Sequence, residues 1–404
     1  MSDKGALDGL RILDFTFAWA GPYATELLAF MGAEVIKVES KKRLDHSRTI
    51  SLTTTQVFTG TEQSPVYNDL NLNKLCVRLN LKEPKAIKIA MEIAKGCDVV
   101  IQNMRPGVMD RLGLGYEAIR DVRPDVIYVS SSARGAIGPE KNYIGYAPSF
   151  GALSGLSHIT GYPDTAPAML MGEIDLISAT TSAFTILSAL HHRQKTGEGQ
   201  HIDLSSSESI SVLMGEVFMD YAMNDRIQNR NGNRDEIMAP HNSYRCKEDG
   251  WVTIAVGSED EWKALCNAIG KSELIEDAKF SDAYNRWNNQ EELDLIINEW
   301  TFKYSHKEAM EILQNVGVAA VPYFNSKDLF TDPHLKEREF SCEVEHPVIG
   351  KRIVVNPPWK FSDTPAKIHR HGPLLGEHNE HVFCELLGMS KEEIKKLEED
   401  EVIY

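Results

Sequence analysis

The first half of the chain alternates short apolar runs with helical patterns, and this alternation restricts the fold more than any other feature. Residues 10–15 (LRILDF) form an apolar run, Ala20-Gly21-Pro22 reads as a turn, and ATELLAFMG then carries a helical pattern that stops at Gly32. Residues 33–38 (AEVIKV) follow as a second strand, so the opening is β-α-β. A helix around 85–95, a strand at 98–102 (DVVIQ), a helix around 116–122 and a strand at 125–130 (DVIYVS) repeat the theme. Such alternation predicts an α/β fold built on an open, mostly parallel, Rossmann-like sheet. Ligands of such sheets sit beyond the carboxyl ends of the strands, which selects residues 16–21, 39–42, 103–107 and 130–138. No GxGxxG follows the first strand, so the usual dinucleotide fingerprint is missing.

The second half changes character. Segment 175–196 is largely apolar and ends in the basic HHRQKTGEG, with Gly197 as a helix stop. From about Asp225 the polar NDRIQNRNGNRDE reads as a linker. Beyond it, 250–256 (GWVTIAV) is strand-like and 261–270, 290–300 and 306–316 are helical, which predicts a smaller α+β domain. After 319–324 the chain reads as loop-rich and closes with a charged helix at 391–399.

Asp and Glu number 59 against 43 Lys and Arg in 404 residues, a formal charge of −16. Such a body repels polyanions, so nucleic acid is not an expected partner. A small anion can still be held by a few placed cations and backbone N–H groups. The six cysteines are too far apart for a CxxC or zinc pattern and read as reduced thiols of a cytoplasmic protein. The opening MSDKGALDG lacks the regions of a signal peptide, and the uncharged stretch 142–163 is broken by Gly, Ser, Pro and Thr; neither secretion nor a membrane span is expected.

No GxSxG, Walker A or HExxH motif occurs. His191-His192 ends a helix, where dipole interaction explains it, and His369, His371, His378 and His381 lack the spacing of a metal set; no metal site is expected. Asp175 is more informative. It stands in MLMGEIDLISATTSAF, directly before a helix that is otherwise apolar or small. It can cap that helix by accepting backbone N–H bonds, or serve as a carboxylate in a dry site, as nucleophile or general base; the pattern does not separate these readings.

Six blocks then resemble class III CoA-transferases, which share a fold with α-methylacyl-CoA racemase: LDGLRILDFTFAWAGPYAT (7–25), MGAEVIKVE (31–39), NKLCVRLNLK (73–82), DVVIQNMRPGVMDRLGLGY (98–116), the Asp175 segment running into ILSALHHRQKTGEGQHIDLS (186–205), and PLLGEH (373–378). The resemblance covers essentially the whole chain. It implies that Asp175, eleven residues before Ile186 of ILSAL, is the nucleophile, passing through a mixed anhydride and an aspartyl-CoA thioester without ATP or metal. It further implies CoA contacts at Phe17, Ala18, Trp19 and Ala20 for the thioester end, Leu79, Leu81 and Lys82 on the adenine side, and Asn103, Met104 and Arg111 along the phosphates and pantetheine. Lys82, Arg105 and Arg111, with Lys41, Lys42 and Arg43, would meet the phosphates. Coenzyme A and its thioesters are thus expected as substrates, with no permanently bound cofactor.

The resemblance also implies a large domain over 1–224 and 331–404, re-entered by the C-terminal segment, a small domain over 225–330, and an intertwined dimer whose crossing linkers are 200–230 and 325–345. Trp19 and Phe17 stand where formyl-CoA transferase has glutamine and histidine, which disfavours oxalate and points to a larger acid, with succinyl-CoA as donor and a benzylsuccinate-type acceptor. That enzyme's glycine-rich lid is not evident; Ala239-Pro240-His241-Asn242 occupies a comparable region. Two alternatives stand beside transfer. A racemase would need a second acid/base, yet Lys141-Asn142-Tyr143-Ile144-Gly145-Tyr146 carries no histidine where the racemases have one, and His158 lies outside the motif. A CoA-binding subunit would instead work in a heterodimer with a paralogous chain, against a homodimer.

Overall fold

The computed structural model describes residues 4–49 and 60–404. Strands β1 (Arg11–Asp14), β2 (Glu34–Glu39), β3 (Leu75–Arg78), β4 (Val99–Gln102), β5 (Ile127–Ser132) and β6 (Gln200–Ser205) form one sheet in the order β3-β2-β1-β4-β5-β6. Every neighbouring pair in it is parallel, as the alternation predicts. The strand order reverses between β1 and β4, so the loops that follow these two strands flank the crevice where ligands of open sheets bind.

The chain divides into two compact units: Met1–Ser157, Met169–Asp225 and Lys336–Tyr404 in the first, and His158–Ala168 with Arg226–Leu335 in the second. In the second unit β7 (His241–Arg245), β8 (Trp251–Ala255) and β9 (Ala319–Pro322) form an antiparallel sheet. It packs with helices around Trp262, Leu265, Leu293, Ile297 and Leu313. His241 and Asn242 are the first residues of β7, so half of the Ala239–Asn242 stretch compared with a lid is sheet. The first unit adds a hairpin of β10 (Ser341–His346) and β11 (Gly350–Val355), where the sequence reads as loop. Segment 200–230, expected as a crossing linker, holds β6 and the helices Ser206–Ser211 and Gly215–Asn224. Segment 325–345 likewise contains the helices Ser326–Thr331 and Pro333–Glu337 and the start of β10.

One face of the parallel sheet is covered by the helices Pro84–Lys95 and Tyr116–Val122, and the other by Ala20–Phe30 and Gly172–Thr196. The last of these is long and apolar enough, on length and composition, to cross a membrane. Here it lies on the sheet, turning Ala179, Ala183, Ile186 and Ala189 toward Ile12, Val35 and Val129. Small residues along that stripe let it approach the helix Ala20–Phe30 closely. Arg193, in its last turn, donates to the backbone carbonyls of Asp98 and Asp125, which precede β4 and β5. The helix therefore runs antiparallel to the strands. Its 25 residues span ~37 Å, against ~20 Å for a six-residue strand, so its first turns reach past the carboxyl ends of the sheet.

Beneath those ends lies a group of buried charges. Lys37, in the middle of β2, has a fully buried side chain, because a central parallel strand is covered on both faces. Its Nζ is 2.8 Å from Asp45 Oδ2 and donates to the Thr16 carbonyl at 2.7 Å. Burial opposes the charged form of Lys37, but Asp45, Asp14 and Glu39 outweigh it and hold the ammonium protonated. Glu39 accepts from Arg48 and from Tyr67 Oη (2.8 Å), and Arg48 donates onward to the Pro373 carbonyl at 3.2 Å. His378 Nδ1 accepts from the Cys76 N–H of β3 at 3.2 Å, so the PLLGEH block lies against this network. Asp45→Ala would leave Lys37 buried without its carboxylate and is expected to cost about 3–5 kcal/mol in urea unfolding. The double variant Lys37→Met/Asp45→Ala should lose clearly less than the sum of the two single variants, and additive losses would contradict the coupling.

Candidate active site

Asp175 occupies the first turn of the helix Gly172–Thr196, in the part that reaches past the sheet. The capping reading of this residue is not what the structure shows. The N-cap, Met171, has no side-chain cap bond, and it is Glu173 Oε2 that accepts the Met171 N–H, at 3.2 Å. Among the described residues no hydrogen bond or ion pair to the Asp175 carboxylate is found. The side chain is half-buried, and desolvation pushes its pKa up to about 6, even though a helix N-terminus favours the anion. A carboxylate without a structural partner, raised in energy by burial, has the properties of a nucleophile or base.

The loop after β1 is held from both sides. Asn103, just past β4, accepts the Phe17 N–H at 2.9 Å and donates to the Phe17 carbonyl at 2.7 Å, so one side-chain amide clamps both backbone groups of one residue. Ala18 follows with φ +70, a left-handed conformation that costs a non-glycine residue of order 1 kcal/mol. Its N–H donates to Asp45 Oδ1 at 2.9 Å, and the same Asp45 is paired with Lys37. Trp19 and Ala20 then begin the helix Ala20–Phe30, with Trp19 as N-cap. The Phe17 ring lies 4.9 Å below the Arg43 guanidinium, which occupies one aromatic face.

Several residues expected around CoA come together here. Leu79 and Met104 are buried in one apolar cluster, with Phe17 and Leu81 packed against it. The Leu79 N–H donates to the Glu39 carbonyl at 2.7 Å, joining the loops after β2 and β3. Lys82, Arg105 and Arg111 are exposed and form no ion pair among the described residues. Lys42, by contrast, is paired with Glu401 at 2.5 Å. No hydrogen bond or ion pair among the described residues links Asp175 to any of these groups. Nor are three His, Cys, Asp or Glu side chains grouped among the described residues so as to hold a metal.

One polar chain near Met104 escapes the sequence. Gln102 Oε1 accepts the Met104 N–H at 2.7 Å, Gln102 Nε2 donates to Ser130 Oγ at 3.0 Å, and Ser130 Oγ lies 2.9 Å from His201 Nε2. These groups line a small pocket with Gly107, Asp110 and Tyr116. His201 stacks on Tyr116 at 5.1 Å, and burial lowers its pKa. The three polar residues come from three separate strands, and only the sheet register brings them together. Asp45 and Lys37 were also missed as site residues. The available signal was a lysine inside the apolar run EVIKV, which demands a buried acid.

Residues 7–379 match the family described as CoA-transferase family III. The chain is 32% identical over 399 residues to succinyl-CoA–D-citramalate CoA-transferase of Chloroflexus aurantiacus, covering 98% of both chains. It is 33% identical over 389 residues to human succinyl-CoA:glutarate CoA-transferase, covering 96% of this chain and 87% of that one. Its fold matches the crystal structure of a CaiB/BaiF family protein from Brucella suis with a TM-score of 0.86 at 28% identity, over 95% of this chain and all of that one. The chain belongs to CoA-transferase family III and is an enzyme that moves CoA between acyl-CoA thioesters and carboxylic acids.

Proposed function

We propose that this enzyme transfers CoA from succinyl-CoA to a dicarboxylic acid, with Asp175 carrying the acyl group and then CoA. The observation that carries this reading is the Asp175 carboxylate itself: half-buried, without a hydrogen-bond or ion-pair partner among the described residues, and raised to a pKa of about 6 at the carboxyl end of the sheet. An Asp175 oxygen attacks the donor thioester carbonyl and expels CoA thiolate, giving a mixed anhydride. The thiolate attacks the Asp175 carbonyl, releasing succinate and leaving an aspartyl-CoA thioester. The acceptor carboxylate attacks that thioester, expelling CoA again, and the thiolate takes the acceptor acyl group and frees Asp175. Each step exchanges one acyl bond for another, so neither ATP nor metal is consumed. Both intermediates hydrolyse if water reaches them, which suits a desolvated carboxylate. Lys82, Arg105 and Arg111, exposed and without ion pairs among the described residues, are the proposed phosphate contacts; Phe17, Ala18, Trp19, Ala20, Leu79, Leu81, Asn103 and Met104 are the proposed remaining CoA contacts.

The two curated relatives pair succinyl-CoA with D-citramalate and with glutarate, which supports a dicarboxylate with a four- or five-carbon backbone. Trp19, half-buried at the loop, adds a preference for a substituted acid, and benzylsuccinate is a succinate bearing an aryl group. Arg43 lies over one face of the Phe17 ring, which leaves Phe17 only its other face and its edge for that preference. In exchange assays with succinyl-CoA we expect turnover with glutarate, citramalate or benzylsuccinate and none with oxalate; oxalate as the best acceptor would overturn the assignment.

A dimer is proposed on the apolar outer surface of the first unit. The helix Gly215–Asn224 has no buried residue, yet it carries Phe218 at 52% exposure, Met219 at 61% and Met223 at 74%; on the helix Gly172–Thr196, Phe184 is 69% exposed. So much exposed apolar surface on two helices calls for a cover, and a second copy of this chain is the proposed one. Size-exclusion chromatography at micromolar concentration should give a dimer from this chain alone; a stable, active monomer would contradict it.

After incubation with succinyl-CoA and hydroxylamine, mass spectrometry should find the hydroxamate at Asp175. Asp175→Ala should lose exchange by about 10³-fold or more. Activity should rise with pH through about 6, because only the carboxylate attacks, and a flat profile across that range would count against the nucleophile. Stability should respond in the opposite sense. The raised folded-state pKa means that ionised Asp175 opposes folding fully above pH about 6 and not at all below its unfolded value of about 3.9. Asp175→Asn should therefore raise the unfolding free energy at pH 7, by on the order of 1 kcal/mol, with the gain fading toward pH about 4.

A further inference from the structure

We propose that the C-terminal tail, residues 400–404, belongs to the CoA site and sets its affinity for the 3′-phosphate by holding Lys41 forward and Lys42 back. The inference rests on the reading above that the loops after β2 and β3 face the adenosine end of CoA. Both loops are tied to the tail. Lys41 N–H donates to the Tyr404 carbonyl at 2.9 Å, and Asn80 N–H to the Val402 carbonyl at 2.9 Å. Asn80 Nδ2 reaches the Glu401 carbonyl at 3.3 Å, while Asn80 Oδ1 accepts the Lys82 N–H at 3.4 Å. Val402 and Ile403 are 2% exposed and sit in the same apolar cluster as Leu79 and Met104, so the tail is anchored in the core that underlies these loops.

The tail treats the two lysines differently. The Tyr404 ring lies 5.1 Å from Lys41 Nζ and 5.0 Å from Lys42 Nζ, a cation–π contact with each. Lys42 also meets Glu401 at 2.5 Å, whereas Lys41 has no ion pair among the described residues. An aromatic face steers an ammonium without neutralising it; a carboxylate cancels its charge. Lys41 is thereby left available to a phosphate, while Lys42 is engaged by an acid.

The test compares succinyl-CoA with its 3′-dephospho analogue in the complete enzyme. Tyr404→Ala should raise KM for succinyl-CoA by about threefold, with kcat moving far less, and Tyr404→Phe should restore the wild-type KM. Glu401→Gln should shift KM the other way, lowering it by about twofold, because Lys42 is released toward the phosphate. Both shifts should vanish with the dephospho substrate. A tail that merely supports the fold would raise KM in both variants, and for both substrates alike; either result would overturn the proposal. Should Tyr404→Ala fail to fold, the exposed Glu401→Gln carries the test alone. Failure of the underlying reading is separate: Lys82→Ala and Arg111→Ala would then leave KM unchanged, and Asp175→Ala would retain exchange.

Discussion

The buried Lys37–Asp45 pair is the contact on which the site end of the sheet depends. Removing two charges from water costs several kcal/mol per ion, and hydrophobic replacements of buried pairs are often more stable. This pair does something an apolar pair could not: Lys37 Nζ holds the Thr16 carbonyl, and Asp45 Oδ1 holds the Ala18 N–H. The residues on either side of Phe17 are thus fixed from inside the protein, and Asn103 fixes Phe17 itself. Three consecutive residues of a loop with no secondary structure of its own gain a unique conformation. The left-handed backbone at Ala18 persists because its N–H has a charged acceptor, and hydrogen bonds to charged groups exceed the strain of that conformation.

The neighbouring Lys74 shows how narrow the margin is. Its ammonium is as buried as that of Lys37, but its acidic contact, Asp14, is 3.4 Å away instead of 2.8 Å. Burial, only partly offset by Asp14, pulls its pKa down to about 8, and the nearby Lys37 charge adds to the fall. The interior supplies enough negative charge to raise the pKa of one of these lysines and not of the other. Asp14 is meanwhile shared with Thr16 and Thr25, whose hydroxyls donate to it at 2.6 Å. Strand β1, its loop and the helix that follows are therefore joined through a single carboxylate.

The parallel sheet was legible because its central strands are short apolar runs separated by helices, a pattern that only a doubly covered sheet satisfies. β6 was not, since an edge strand with one buried residue, Leu204, in QHIDLS carries no apolar run. In the hairpin at 341–355 the first strand, SCEVEH, has the charged Glu343 and Glu345 on its outward positions and likewise carries no apolar run. For the site, resemblance located Asp175, and the structure adds what the pattern could not tell, that among the described residues this carboxylate caps no helix N–H. Contacts that depend on register or on distant segments were beyond reach. Gln102, Ser130 and His201 converge only through strand pairing, and Tyr404 meets Lys41 across more than 300 positions of sequence.

The net charge of −16 is compatible with binding a polyanionic cofactor because of where the acids are. Around the carboxyl ends of β2 and β3, Glu401 pairs with Lys42, Glu398 with Arg78 and Asp400 with Lys85. All three acids come from the last turn of the C-terminal helix and the tail beyond it. Lys82 lies between these neutralised cations without an acid of its own among the described residues, as do Arg105 and Arg111 in the loop and helix after β4. Exposed ion pairs contribute about 0–1 kcal/mol, so they remove a long-range attraction without making a rigid barrier. Charge-assisted hydrogen bonds to phosphate are roughly twice as strong as neutral ones and are directional. The acids at the ends of β2 and β3 thus narrow the places on that rim where an anion is attracted, because three of its cations already carry a carboxylate.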